Sequence, residues 1–350
     1  MPVRIRDVAL RAGVSNATVS RVLANKPYTS QAVRARVLAA VKELGYQPSH
    51  VARSLRVQHS QIIGLIISDI QNPFFTSLGR AVEDVAYDHQ YAVFLCNSDE
   101  DMEKEALYVD LMYAEKVSGV VLTPTRARDN PCRKLIEARF PVVAVDRRVV
   151  DMDVDTVVID NVGAAFDLVS HLISDGHRRI AAVVGPLTTT TDRERLEGYS
   201  RALRVHSLPV FHQLVQAGGS KVELGYQMTH ALLSLPEPPT ALFTGNYLLT
   251  LGTLRAIRER GLRIPRDIAL AAFDEMEWTS LVEPSLTVVA QPTYELGRTA
   301  ANLLLERIED NRRPVQQVVL KPTIYFRQSC GHRQEVTHAG TCVGETDLRC

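Results

Sequence analysis

The sequence predicts a small all-α unit at the N-terminus, followed by an α/β core of two doubly wound parallel-sheet lobes. Apolar residues at helical spacing fill residues 1–45, and from Ile62 onward β-rich apolar runs alternate with helical patterns.

The balance of basic and acidic residues also changes near residue 60. Residues 1–60 hold ten Lys and Arg against two Asp and Glu, which leaves 30 basic and 38 acidic side chains beyond them. A basic module on an acidic body indicates a polyanionic partner.

Three helices are predicted in the N-terminal unit. The first carries an apolar stripe from Ile5 and ends at Gly13, and Ser15 is a suitable N-cap for the second, which ends at Leu23. The third ends at Gly45, in the position where helices often stop at glycine. Two helices joined by a tight turn that contains glycine are the sequence form of a helix-turn-helix.

The second helix of this pair is expected to enter the DNA major groove by its N-terminal end. Small side chains permit close approach to the bases, an arginine one turn later can reach guanine or phosphate, and the third helix supplies a phosphate contact. A generic three-helix bundle is the alternative, and the basic excess favours DNA. The predicted contacts are Ser15, Asn16, Ala17, Thr18, Ser20, Arg21 and Arg34.

Nine short apolar runs predict buried strands in the rest of the chain. Uninterrupted apolar strands separated by helices are typical of parallel sheets covered on both faces, and nine exceed one compact sheet, so two lobes are expected. Ligands in such folds bind beyond the carboxyl ends of the strands. The predicted runs are IIGLIIS, YAVFLCN, GVVLTP, PVVAVD, TVVID, IAAVVGP, ALFTG, IALAAFD and LTVVAQ.

Several classes of protein are disfavoured by the sequence. Charged residues interrupt any secretory leader near the N-terminus, the apolar run at Ile62 is too short to span a bilayer, and five scattered cysteines fit a reduced cytoplasmic protein. An enzyme on a dinucleotide-binding fold would need a GxGxxG, P-loop or GxSxG motif after a strand, and none is present. The Cys and His residues of the polar tail lack metal-ligand spacing, so we expect residues 331–350 to be disordered, with no metal and no cofactor.

Many segments in order resemble one family of bacterial transcription regulators. IRDVALRAGVSNATVSRVL, VRARVLAAVKELGYQPSHVARSL, IIGLIISDIQNPFF, GHRRIAAVVGP, RLEGY, FDEMEW and LTVVAQPTYELGRTAANLLLERI are similar to the LacI/GalR family over about residues 3 to 330. The resemblance implies a homodimeric, cytoplasmic DNA-binding repressor that is not an enzyme and binds a palindromic operator. It also implies a core like that of periplasmic sugar-binding proteins, with a small effector between its lobes.

The resemblance also sets the domain boundaries. It implies a DNA-binding headpiece at 1–46 and a hinge helix with linker at 47–60, in which Arg53 and Leu55 would contact the minor groove. The core is expected at 61–330. Its N-terminal lobe would comprise about 61–160 and 292–322, and its C-terminal lobe about 161–290 and 323–330, with crossings near Asp160, Gln291 and Pro322.

Nine positions match the effector pocket of the family. Carboxylates and an arginine fork there suit hydroxyl groups, and aromatic rings can cover an apolar sugar face, so a sugar or sugar acid is favoured. A purine- or phosphate-ester-responsive regulator of the same family, or an exported-type solute-binding protein, is the alternative. The sequence does not distinguish an inducer from a co-repressor. The matching positions are Ser68, Phe74, Phe75, Arg147, Arg195, Asn246, Asp274, Trp278 and Gln291.

Overall fold

The N-terminal unit is a bundle of three helices, as the sequence predicts. The computed structural model describes residues 3–23, 29–46 and 60–331, and it separates into two compact units at Ser60. The helices are α1 (Ile5–Ala12), α2 (Asn16–Leu23) and α3 (Gln31–Leu44). Gly13 adopts a φ of 64°, and the Ser15 hydroxyl accepts the Thr18 N–H at 3.2 Å, so the tight turn and the cap of α2 form as expected.

The core contains two six-stranded sheets, which confirms the prediction of two α/β lobes. The first sheet has the order β11-β5-β4-β3-β1-β2, and the second has the order β12-β10-β9-β8-β6-β7. The strands are β1 (Ile62–Ile67), β2 (Ala92–Asn97), β3 (Gly119–Leu122), β4 (Val142–Val145), β5 (Asp155–Ile159), β6 (Ile180–Val184), β7 (Val215–Ala217), β8 (Ala241–Thr244), β9 (Ala269–Phe273), β10 (Thr287–Ala290), β11 (Gln317–Leu320) and β12 (Thr323–Tyr325).

Helices cover both sheets of the core. Most central strands are buried along their whole length, which explains their continuous apolar runs. The helices are α4 (Pro73–Asp88), α5 (Met102–Ala114), α6 (Arg133–Glu137), α7 (Asn161–Ser174), α8 (Thr190–Val205), α9 (Val222–Leu233), α10 (Tyr247–Glu259) and α11 (Thr293–Glu309), with short 3₁₀ turns at His212–Leu214, Glu277–Ser280 and Gln328–Cys330.

The chain passes between the two sheets three times. It leaves the first sheet after β5, returns to it after β10, and leaves it again between β11 and β12. The crossing segments are neighbours, because Leu320 pairs with Ile159 and Thr323 pairs with Ala290. The carboxyl ends of the parallel strands therefore face a cleft flanked by these crossings.

Three strands were not predicted, namely β7, β11 and β12. Each lies at the edge of its sheet and is only partly buried, so none carries a continuous apolar run. In addition, β12 runs antiparallel to β10, whereas the sequence pattern predicted parallel pairing only. An antiparallel edge strand is common on otherwise parallel sheets.

Candidate functional site

A cavity lies between the two lobes at the carboxyl ends of the strands. Its free volume is about 30 Å³, room for roughly one water molecule, and this is far below the range of about 300–1,000 Å³ that is usual for small-molecule sites. Seven of the nine predicted side chains line it: Phe74, Phe75, Arg147, Arg195, Asn246, Asp274 and Gln291.

The other two predicted residues lie outside the lining. The Ser68 hydroxyl is fully buried and shares a hydrogen bond of 2.8 Å with the Thr123 hydroxyl, because its strand end is covered by the neighbouring strand. Trp278 packs against the apolar core of the C-terminal lobe, with its ring centroid 6.3 Å from that of Tyr247. It was a candidate because it lies near the positions that match the family's pocket and its ring could cover a sugar face, but its side chain packs into the core.

Four further acidic side chains line the cavity, and the predicted set did not include them: Asp69, Glu100, Asp146 and Asp192. Asp69 and Asp146 could have been found from the sequence, because they lie just after strands β1 and β4. Glu100 and Asp192 carried no comparable signal. With Asp274, the cavity therefore holds five carboxylates against the guanidinium groups of Arg147 and Arg195.

Arg147 is held by an acid of its own lobe. Its guanidinium donates to both carboxylate oxygens of Glu100, at 2.7 and 2.6 Å, and to the Pro124 carbonyl at 3.2 Å. Burial acts to lower the pKa of Arg147, but Glu100 and Asp146 outweigh it and raise the pKa above its usual value. The charge of Arg147 is thus already neutralised by protein groups.

Arg195 is fixed by packing between helices. A Cβ on Gly198 of α8 would lie 2.4 Å from the Val162 carbonyl, so the glycine lets α8 approach α7 closely. This approach brings Arg195 Nε to 2.9 Å from Asn161 Oδ1, while Nη1 donates to the Gly245 carbonyl at 2.6 Å. The guanidinium also lies 4.2 Å from the centre of the Phe273 ring.

Asp146 and Asp274 occupy matching places in the two lobes. Each follows a central strand and has a left-handed backbone, with φ of 69° and 76°. This conformation is uncommon for residues other than glycine, though Asp adopts it more readily than most, and it is often found at functional sites. The Asp274 carboxylate accepts the Tyr247 N–H at 2.9 Å and the Gln291 side-chain amide at 2.7 Å.

Asp146 differs from Asp274 in its hydrogen bonding. Its nearest cation is Arg147 Nε at 3.4 Å, and among residues 60–331 no N–H or O–H donates a hydrogen bond to its carboxylate. Burial raises the pKa of Asp146 to about 6, partly offset by the two arginines and reinforced by Asp274 and Asp192. Burial likewise raises the pKa of Asp192. Asp146 is therefore a buried acceptor that faces the cavity with unused capacity.

Ion pairs join the lobes at the rim of the cavity. Lys221, directly before α9 in the C-terminal lobe, lies 2.7 Å from Asp69 and 2.7 Å from Asp99, which follow β1 and β2. Arg148 pairs with Glu194 in the same way, and the Ala127 N–H donates to the Thr188 carbonyl at 2.9 Å. These contacts hold the lobes closed around the narrow cavity.

The predicted DNA-contact residues of α2 are mostly at the surface. Asn16, Ala17 and Arg21 are exposed, whereas Thr18, Ser20 and Arg34 are half-buried. The Ser15 hydroxyl is engaged as the cap of α2 and also contacts the Thr18 hydroxyl at 2.9 Å. The hinge residues Arg53 and Leu55, and the tail from residue 332 onward, lie outside the described residues.

Known family models match both units of the chain. Residues 4–49 match the family model described as bacterial regulatory proteins, lacI family. Residues 60–330 match the model of periplasmic binding proteins and sugar binding domain of LacI family. Within the parts of the chain that the structure describes, no helix has the length and hydropathy to cross a membrane.

Individual relatives agree with this assignment. The HTH-type transcriptional repressor CytR of Escherichia coli K12 is 37% identical over 87% of this chain and 89% of its own. Catabolite control protein A of Priestia megaterium is 35% identical over 94% and 99%. A crystal structure of the Lac repressor dimer bound to operator and the anti-inducer ONPF is 27% identical, covers 94% of this chain and 99% of its own, and has a TM-score of 0.82. These matches favour neither an enzyme nor an exported solute-binding protein, and the chain belongs to the LacI family of DNA-binding transcription regulators.

Proposed function

We propose that this protein is a repressor whose operator affinity is controlled by a neutral, hydroxyl-rich effector bound between the lobes. The observation that carries the proposal is the buried Asp146 carboxylate, which faces the cavity opposite Asp274 and Arg195 and has acceptor capacity left over. The hydroxyl groups of a sugar could donate hydrogen bonds to this carboxylate.

The charge of the cavity favours a neutral ligand over a sugar acid. Five carboxylates line the cavity against three cations, namely two arginines that already bind protein acceptors and Lys221, which pairs with Asp69 at the rim. A carboxylate or phosphate ester would add charge to a site with excess negative charge and a low local dielectric. The charge of the cavity thus favours a neutral sugar, whereas the sequence alone favoured a sugar or a sugar acid without separating the two.

A purine is a weaker candidate for geometric reasons. The aromatic side chains of the lining are Phe74 and Phe75, and both belong to α4 in the N-terminal lobe. Their rings meet edge to face at 5.0 Å, so they form one wall of the cavity. The opposite wall is polar, which suits one face of a sugar ring against the phenylalanines and hydroxyls toward the carboxylates.

The proposed mechanism is thermodynamic linkage. An effector that prefers one relative orientation of the lobes would change the arrangement of the dimer and hence of the two hinge segments at 47–60. Operator affinity changes only by the ratio of the effector's affinities for the two states. DNA would be bound as a palindrome by the two headpieces, with Arg21 and its neighbours on α2 in the major groove.

Thermal shift of the full-length protein against neutral sugars, sugar acids and purine nucleosides tests the ligand class. We expect a neutral sugar to raise the melting temperature and sugar acids to leave it unchanged, because only a ligand of the native state stabilises it. Arg195→Lys should abolish the shift, since lysine cannot bind Asn161 and Gly245 together, while operator affinity stays within about twofold of wild type. Arg193→Lys, on the exposed face of the same helix, is the control. A shift that only anionic ligands produce would overturn this ligand class.

A further inference from the structure

A side-chain cluster far from the effector cavity brings together three kinds of metal-ligand atom. His171 lies on α7, Asp175 follows the last turn of the same helix, and Cys330 belongs to the 3₁₀ turn at Gln328–Cys330. One nitrogen, one carboxylate oxygen and one sulfur from these residues all lie within 4.8 Å of one another. His171 and Cys330 are 159 residues apart in sequence, so the fold and not local chain geometry creates the cluster.

The two separations from His171 are close to those of neighbouring ligands around one tetrahedral ion, and the third lies within 4.8 Å. His171 Nε2 lies 3.3 Å from Asp175 Oδ2 and 3.1 Å from Cys330 Sγ. Tetrahedral Zn²⁺ has bonds of about 2.0–2.1 Å to N and O and about 2.3 Å to S, which place neighbouring N and O about 3.3 Å apart and N and S about 3.5 Å apart. Small side-chain movements would therefore suffice to close the three ligands around an ion.

The surroundings suit a structural ion. Cys330 is fully buried, and its sulfur lies 3.0 Å from the Thr287 hydroxyl. The Phe326 ring covers His171 at a centroid distance of 4.3 Å, which restricts rotation of the imidazole. The His171 and Asp175 side chains are only slightly exposed, so the cluster is largely shielded from solvent.

We propose that His171, Asp175 and Cys330 form a Zn²⁺ site that fastens the end of the C-terminal lobe to α7. Imidazole, carboxylate and thiolate together are a ligand set typical of zinc. The ion would displace the Cys330 thiol proton to solvent, so its affinity falls as the pH is lowered. The site lies outside the effector cavity and does not depend on the identity of the effector.

Metal binding to the full-length protein tests the proposal. After removal of metals with a chelator, Zn²⁺ is titrated in competition with a chromogenic indicator, and Co²⁺ is added separately to record its absorption spectrum. We expect one Zn²⁺ per chain, a thiolate-to-cobalt charge-transfer band in the near ultraviolet, and a higher melting temperature with Zn²⁺. Cys330→Ser should remove the cobalt band and weaken Zn²⁺ binding at least a hundredfold, and Asp175→Asn should weaken it at least tenfold.

Two controls separate this cluster from other thiols and imidazoles. A Cys342→Ser/Cys350→Ser double variant removes the tail thiols, and His206→Gln removes an exposed imidazole of the same lobe. Both should bind one Zn²⁺ as wild type does. The proposal is overturned if wild type binds no Zn²⁺, if Cys330→Ser binds it unchanged, or if the tail variant loses it. Circular dichroism of the metal-free variants identifies any that fail to fold, and Asp175→Asn then decides through the strength of binding.

Discussion

Lys221 Nζ and Asp69 Oδ2, which belong to different lobes, lie 2.7 Å apart at the rim of the effector cavity. The same ammonium is 2.7 Å from Asp99, so one cation joins two carboxylates of the N-terminal lobe. Partial burial acts to lower the pKa of Lys221, but the two carboxylates raise it above its usual value, and the ammonium stays charged. This bridge stabilises the closed lobes, and the cavity it closes is too narrow for a metabolite to enter.

Lys221→Met should accelerate effector exchange. The bridge is partly exposed, so its loss is worth about 1 kcal/mol and should raise the dissociation rate about fivefold. Stopped-flow measurement with the effector found by thermal shift gives both rates. Lys104→Met is the matched control, because Lys104 pairs with Asp99 within one lobe, at 3.6 Å. Equal dissociation rates in wild type and Lys221→Met would show that this bridge does not keep the lobes closed around the effector.

Asp146→Asn should stabilise the protein near pH 7.5 and weaken effector binding. The pKa of Asp146 is raised from 3.8 to about 6 in the native state. The stability linked to its protonated form is therefore complete below about pH 4 and is lost as the pH rises through about 6. Asparagine cannot ionise, so its advantage should be on the order of 3 kcal/mol at pH 7.5 and vanish near pH 4.

Urea unfolding of both proteins at pH 4, 6 and 7.5 checks this prediction. Asp167→Asn, an exposed carboxylate on α7, should follow the wild-type pH dependence. A constant difference between Asp146→Asn and wild type across the three pH values would show that Asp146 does not titrate in this range.

Arg21→Ala should weaken operator binding and leave the effector-induced thermal shift intact. Arg21 is exposed on α2, and a base-edge contact is worth about 1–3 kcal/mol, so we expect a loss of roughly 5- to 150-fold per half-site. Fluorescence anisotropy with operator and random DNA at several salt concentrations separates a base contact from a phosphate contact. A base contact weakens operator binding more than random binding, whereas a phosphate contact weakens both equally and lowers the salt slope by about one.

Arg11→Ala is the control for this measurement, because Arg11 is engaged by Glu43 at 2.8 Å on the outside of the bundle. Operator affinity that drops equally in Arg11→Ala and Arg21→Ala would point to a general loss of charge and not to a specific contact.

Leu95→Asp should convert the proposed homodimer to a monomer. Phe94 and Leu95 lie on the edge strand β2 and are about 40% exposed, with Ile70 and Tyr87 also exposed nearby in the same lobe. An apolar edge strand is otherwise a liability in a soluble protein, and a second copy would cover it. Light scattering after gel filtration should give the mass of a dimer for wild type and for the control Val205→Asp, and half that mass for Leu95→Asp. A wild-type monomer would contradict the proposal.

The sequence predicted the central strands well because each is a continuous apolar run buried on both faces. It missed β7, β11 and β12, which are short edge strands without such a run, whereas the edge strand β2 was predicted because it carries one. In the site, the position of Arg147 was predicted but not its partner Glu100, which lies 47 residues earlier and follows β2, a strand separated from β4 by two others in the sheet. Ser68 was named from the family resemblance, which does not show that the Thr123 side chain at the next strand end contacts its hydroxyl and that it lies outside the cavity lining.

The three adjacent crossings near residues 160, 291 and 322 restrict how the two lobes can move relative to each other. A single connecting segment would let the two lobes rotate freely about it. Three adjacent segments resist twisting, so bending about one hinge axis is the motion that costs the least energy. A ligand that contacts a few atoms of each lobe near this axis can therefore set the orientation of one whole lobe relative to the other.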